Sequence, residues 1–230
     1  MAKTLLIPKI LLLLLFSSQL DPSKASSVPS KLDGFAYNGS GPWKDSILIE
    51  AFFDPLCPDT RDSWPPLKKV VEQFSPRVSL IVHPFPLPFH NNAYLACRAL
   101  HIANKLNSSS TYDLLELFFK YQEKYYNGPT ASASRTEIQK DMSKLGAFAL
   151  GNSFLADFEN GFQDSSTDAA ARISYRYGSS RGVYGAPFFF VNGFLLPGAG
   201  SPLSYTQWIN ILQPLVQNNG GRNPMLSFYL

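Results

Sequence analysis

Apolar and polar positions follow different periods along this chain, and the changes of period mark its elements. Ser46 to Phe53 (SILIEAFF) is a short apolar run centred on Ile47, Leu48 and Ile49, and its length and β-branched content predict a buried strand. Asp54 to Thr60 is rich in turn formers, and a helix is expected through Ser63 to Phe74, with Pro65 and Pro66 kinking its first turns. Val78 to Val82 (VSLIV) reads as a second buried strand. A strand, a helix and a strand in fewer than 40 residues predict a βαβ unit with parallel strands.

Helical spacing then dominates. Asn91 to Leu106 repeats apolar residues at Tyr94, Leu95, Ala99, Ile102, Ala103 and Leu106. Thr111 can cap a helix running to about Tyr125, and Thr136–Phe148 and Ser153–Phe158 predict two more. Ser166 or Thr167 is the expected cap of a helix ending near Gly178. The last third returns to period two: Pro187–Val191, an Asn192-Gly193 hairpin signal, then Phe194–Leu196. Tyr205 to Val216 closes the pattern as a helix with Trp208, Ile211, Leu212 and Leu215 on one face, Pro214 weakening its end.

The two ends of the chain fall outside this pattern. Lys3 and Lys9 precede an unbroken apolar run, Ile10 to Phe16, too short to span a bilayer, which takes about 20 residues. With small residues at Ser23 and Ala25 the stretch reads as a secretory signal peptide, cleaved after Ala25 or at the rival Ser18. Residues 1–25 are therefore assigned as signal, 26–45 as a Ser/Pro/Gly-rich linker, 46–217 as one α/β domain with a helical insertion over about 91–181, and 218–230 as a tail. Removing 25 of 230 residues leaves 205, enough for one sizeable core, and no second segment is long and apolar enough to cross a membrane. The last residues are not an endoplasmic-reticulum retention signal, so the expected location is the secretory pathway and beyond the cell. Asn38-Gly39-Ser40 and Asn107-Ser108-Ser109 are glycosylation acceptor patterns, which fits export.

Charge narrows the function classes. The precursor carries +3, and losing three lysines and one aspartate with the signal leaves the mature chain near +1. That is too little to build a nucleic-acid-binding field. The aromatic load is high, with 18 Phe, 11 Tyr and 3 Trp; Phe85, Phe89, Tyr125 and Tyr126 fall at loops or helix ends, where some can line a groove for an extended peptide.

Two cysteines are too few for a disulfide framework. Cys57 stands at a helix start, where unpaired N–H groups and the positive dipole end favour the thiolate, the species that attacks disulfides. Thr60, one turn on, can donate its hydroxyl to that sulfur. The bland reading is a partly buried, unreactive thiol. Cys97 lies in a helix-face run (Ala96-Cys97-Arg98-Ala99-Leu100) and is either a second thiol bridging Cys57 or simply buried. Cys97 and His101, with His83 and His90, give a metal pattern without a close cysteine pair, so no metal or resident cofactor is assigned. No Gly-x-Ser-x-Gly elbow supports hydrolase chemistry. Glu50, in an apolar strand, is either a buried carboxyl with a raised pKa relaying protons to the sulfur or an acid at an exposed strand position. Asp54 caps the turn.

The order β-α-β, helices, β-hairpin, α, together with Phe52-Phe53-Asp54-Pro55-Leu56-Cys57-Pro58, Pro65 and Gly185-Ala186-Pro187-Phe188-Phe189-Phe190-Val191-Asn192-Gly193, resembles the DsbA-like branch of the thioredoxin superfamily. Phe118-Phe119-Lys120-Tyr121-Gln122 is similar to part of its inserted helical domain, and Pro187 lies 130 residues after Cys57. The resemblance implies a cis peptide before Pro187, with the backbone of Ala186 facing the sulfur and pairing with extended or unfolded secretory polypeptides, and Pro58 beside them. The family motif Cys-x-x-Cys is here Cys57-Pro58-Asp59-Thr60, without the resolving cysteine. A lone thiol forms a mixed disulfide but needs an external thiol, such as glutathione, to leave it. Two functions compete: monothiol exchange, and a catalytically inactive binding module using the same groove.

Overall fold

The computed structural model describes Pro29 and residues 32–39 and 46–218. The expected signal peptide, and all of the 218–230 tail past Asn218, lie outside the described residues. Five strands, β1 (Phe35–Ala36), β2 (Ile47–Phe53), β3 (Val78–Pro84), β4 (Phe188–Val191) and β5 (Phe194–Leu195), form one sheet in the order β1-β3-β2-β4-β5. The pair β2–β3 is parallel and the other three pairs are antiparallel. Glu50 sits opposite Ile81 on one side and Phe190 on the other, so β2 is central and paired along both edges.

Strand alternation sends the two sides of β2 to different cores. Ile47, Ile49, Ala51 and Phe53 point into the larger one, with Trp64, Leu67, Val70 and Phe74 of helix α1 (Pro58–Phe74) and Trp208 and Leu212 of helix α7 (Tyr205–Asn218). Phe52 points the other way, into a smaller cluster with Cys57, Phe85, Leu87, Val183, Ala186, Phe188 and Phe190. The insertion supplies α2 (Ala93–Leu106), α3 (Thr111–Tyr121), α4 (Arg135–Leu150), α5 (Leu155–Gly161) and α6 (Ser165–Ser180). Helix α6 reaches the second face of the sheet because of Gly178. A Cβ there would stand 2.6 Å from Phe85 Cδ2.

Two boundaries differ from the sequence expectation, at the linker and at the cap of α6, while α1 starts directly after Cys57 as expected. The linker expected to run through residue 45 contributes β1, and Phe35 and Tyr37 are buried in the larger core, Tyr37 edge-on to both Trp64 and Tyr112. A two-residue strand is too short to show a period. Helix α1 begins at Pro58, immediately after Cys57, and runs unbroken through Pro65 and Pro66. Proline is well suited to the first helical position because its missing N–H has no partner there. The cap of α6 is Asp164, whose carboxylate accepts from the Ser166 N–H at 2.8 Å, rather than Ser166 or Thr167.

Candidate functional site around Cys57

Cys57 is the N-cap residue of α1, with extended backbone (φ −86°, ψ 126°). Its backbone N–H donates to the Asp54 carbonyl at 3.1 Å, closing the turn that leaves β2. Asp54 itself is fully buried: one carboxylate oxygen accepts from Leu56 N–H at 2.8 Å, and the other accepts from Leu87 N–H at 3.0 Å and lies 2.8 Å from His90 Nδ1. The acid therefore does more than cap its turn; it ties the loop bearing the cysteine to the segment after β3. From the insertion, the buried Gln122 side chain donates to the carbonyls of Pro55 and Cys57, at 3.3 and 3.4 Å. Gln122 occupies a helical phase otherwise filled by Leu114, Leu115, Phe118 and Phe119, and a polar residue in that phase was the available signal for its role.

The thiol faces the loop before β4. The Ala186–Pro187 peptide is cis, as the resemblance implied, and the Cys57 S–H donates to the Ala186 carbonyl at 3.4 Å. Only 5% of Cys57 is exposed. Burial pushes its pKa up, and Asp54 adds to this. The N–H groups of Thr60 and Asp59 and the Thr60 hydroxyl favour the thiolate but do not outweigh burial. The direction is opposite to that expected from helix-start placement alone, because burial among Phe52, Phe85, Leu87, Ala186 and their neighbours removes the water that a thiolate needs. The Thr60 hydroxyl is fully buried and makes no hydrogen bond of acceptable geometry, although it lies near enough to the sulfur to stabilise its ionised form. We read it as a donor aimed at an acceptor that appears only when the thiol ionises.

Cys97 is buried inside α2 and is a free thiol, as is Cys57, so the two form no disulfide here. Burial holds the Cys97 thiol well above its ordinary range.

Glu50 is neither a raised carboxyl relaying protons nor an exposed acid. It is buried, which would raise its pKa, yet His83, Tyr177 and Arg181 together bring it down to about 2. Tyr177 donates to Oε1 at 2.8 Å and Arg181 Nη1 approaches the same oxygen at 3.1 Å. Arg181 also lies over the Phe190 ring, 4.4 Å from its centroid. A permanently ionised, paired carboxylate is a poor proton carrier; its work is to tie the end of α6 to the sheet just before the Ala186 loop. His83 extends the pairing inward. Its Nδ1 lies 2.8 Å from Asp33, and its Nε2 lies 3.5 Å from Glu50 without an aligned hydrogen bond. Burial lowers the His83 pKa, and the two carboxylates outweigh that and raise it. Asp33 in turn accepts from Ser174, which also contacts His101 Nε2 at 3.0 Å. Asp33 and the Tyr177/Arg181 pair carried no sequence signal, since they come from two stretches far from Glu50 and from each other.

The three histidines thus go to separate partners. Among the described residues no group of three or more His, Cys, Asp or Glu side chains is disposed to hold a metal ion. Of the acceptor asparagines, Asn38 is exposed, with a left-handed backbone (φ 54°), and Asn107 sits at the end of α2, accepting from the Ser109 hydroxyl at 2.7 Å.

No family model matches this sequence, and no curated protein matches it significantly. Solved structures do. A proposed protein-disulfide isomerase from Pseudomonas syringae superposes with a TM-score of 0.65 at 20% identity, over 78% of this chain and 98% of that one. The catalytic domain of ScsC from Proteus mirabilis gives 0.59 at 16% identity, over 85% and 96%. The thiol-disulfide exchange protein α-DsbA2 from Wolbachia pipientis gives 0.57 at 16%, over 80% and 86%. At these identities the likeness is one of architecture, and by architecture this chain has a thioredoxin-like fold with a helical insertion.

Proposed function

We propose that this protein is exported, binds extended polypeptides against the Ala186–Pro187 segment, and exchanges disulfides with them through one thiol, Cys57. The carrying observation is the 3.4 Å S–H contact to the Ala186 carbonyl at the start of α1. It supports a reading in which an incoming strand pairs with the backbone beside the sulfur. A strand whose N–H takes that carbonyl leaves the thiol without its acceptor, and the donors of Asp59 and Thr60 then favour the thiolate. The Cys57 thiolate attacks one sulfur of a client disulfide, forming a new S–S bond, and the other client sulfur departs as a thiolate. With Thr60 in place of a resolving cysteine, a small external thiol such as glutathione must attack the mixed disulfide to release Cys57.

The raised thiol pKa supports a second reading, an inactive module that only binds. Trapping separates the two. The protein is incubated at pH 8 with a disulfide-bearing peptide, without reductant, and adducts are mapped by mass spectrometry. Exchange predicts an adduct on Cys57 that glutathione removes, and in Thr60→Cys a shorter-lived adduct with turnover in the absence of glutathione. No adduct over hours, with the peptide still binding, leaves the module. Export and glycosylation at Asn38 and Asn107 are checked on secreted protein by the new N-terminus and by a mass loss on glycosidase treatment.

A further inference from the structure

A groove of about 710 Å³ lies between α6, which contributes Arg172, Tyr175 and Arg176, and the connection from β3 to α2, which contributes Pro86, Leu87 and Pro88. We propose that it is a subsite for the acidic part of a client polypeptide, and that this protein prefers clients with a carboxylate a few residues from the attacked cystine. The inference rests on the reading of Cys57 as the attachment point and adds a substrate class to it.

Position is the first argument. Leu87 lines the groove and belongs to the apolar cluster that holds Cys57 and Ala186. His90 lines it as well, and also lines the neighbouring depression formed by Leu56, Pro58, Tyr125 and Tyr126. A chain lying in the groove therefore leads onto the residues flanking the thiol.

Charge is the second. Arg172 and Arg176 are four residues apart, so they share one face of α6. Arg172 Nε holds Asp168 at 2.6 Å, and that carboxylate is already shared, taking the Tyr94 hydroxyl at 2.8 Å and lying 3.6 Å from Arg98. Among the described residues Arg176 has no ion-pair partner. His90, the groove's remaining basic side chain, is held by Asp54. The groove thus presents a guanidinium surplus with no acid to meet it.

The opposite wall explains why the ligand is peptidic rather than a bare anion. Pro86 and Pro88 lack N–H groups, and the Leu87 N–H is committed to Asp54, so this wall offers apolar surface and no backbone donor at those positions. Tyr175, stacked on Phe85 with ring centroids 5.2 Å apart, extends that surface beside the guanidinium groups. An apolar side chain followed by a carboxylate fits such a site.

The test uses fluorescein-labelled peptides of one apolar extended sequence, with the cystine replaced by serine so that no covalent bond forms. They carry Glu, Gln or Lys near the centre, and binding to the full chain is read by anisotropy at low and high salt. The Glu peptide is expected to bind about tenfold tighter than the Gln peptide, the order of one charge-assisted contact, and the advantage should shrink with salt. Arg176→Gln should erase the Glu preference while the Gln peptide keeps its affinity within about twofold. Equal binding of the three peptides, or a Glu preference untouched by Arg176→Gln, overturns the proposal. Displacement of the Glu peptide by free glutathione at low millimolar concentration also overturns it, by making a small peptide thiol the occupant. Because these peptides carry no sulfur, the outcome is independent of whether Cys57 exchanges disulfides.

Discussion

Thr60→Val separates what the site needs from what the fold needs. The change keeps the shape of the side chain and removes one hydroxyl that is wholly buried and lacks a well-formed hydrogen bond. Leaving such a group unpaired costs about 1–3 kcal/mol in proteins. The sulfur nearby is a weak acceptor, which takes back part of that, so a gain of about 1 kcal/mol is expected. In a domain of this size that is a rise in Tm of about 2–4 °C. Function should move the other way. A hydrogen bond to an ionised group contributes about 1.5–3 kcal/mol, and the pocket around Cys57 realises about half of it once other donors readjust, so the thiol pKa should rise by about one unit. The thiolate fraction at neutral pH then falls about tenfold. Urea unfolding gives the first quantity, and iodoacetamide alkylation against pH, with Cys97→Ser as background, gives the second. A loss of stability, or an unchanged alkylation profile, would refute the reading of Thr60 as a donor held for the thiolate.

Arg181→Met removes one partner of the Glu50 pair and leaves a buried carboxylate facing only His83 and Tyr177; unfolding should cost about 2–3 kcal/mol less, read as a lower urea midpoint with unchanged m-value. The combined Glu50→Gln/Arg181→Met variant should recover part of that loss. His101, its pKa brought by burial down to about 4, takes up its proton in the unfolded chain near 6.5 and in the folded chain near 4. Its contribution is complete above pH 6.5 and is lost as pH falls to 4, so stability should climb by about 2–3 kcal/mol across that window, and His101→Gln should flatten the climb. The Glu50 contribution disappears only below the ordinary carboxylate range, towards pH 2, and the raised His83 pKa acts in the opposite sense, its share being lost as pH rises through that value. Gly178→Ala gains about 1 kcal/mol of helix propensity but drives a Cβ to 2.6 Å from the buried Phe85 ring and 3.2 Å from Phe52; the overpacking should prevail by about 1–2 kcal/mol, and thermal unfolding measures the difference.

How much of this was legible beforehand depends on the range of the interactions. The βαβ unit, the helical block and the Asn192-Gly193 hairpin follow from local periods and turn residues, because apolar burial imposes those periods wherever an element lies on a core. The same local reading places Cys57 at a helix start and, through the resemblance, Ala186 and Pro187 before β4. It missed β1, since two residues carry no period, and it reversed the direction of the thiol's pKa shift. Helix-start donors are a local property, visible in sequence, whereas the desolvation that outweighs them comes with burial in a cluster assembled from distant segments, Phe85, Leu87 and Ala186 among them. Glu50 shows the same division. Its sequence context left burial and exposure both open, and its ionisation depends on His83, Tyr177 and Arg181, brought to it from β3 and the end of α6. Sequence therefore determined which residue types stand on which element. Tertiary structure decided the electrostatics, because the energy of a charge depends on the water excluded and the partners gathered within a few ångströms, and those come from distant parts of the chain.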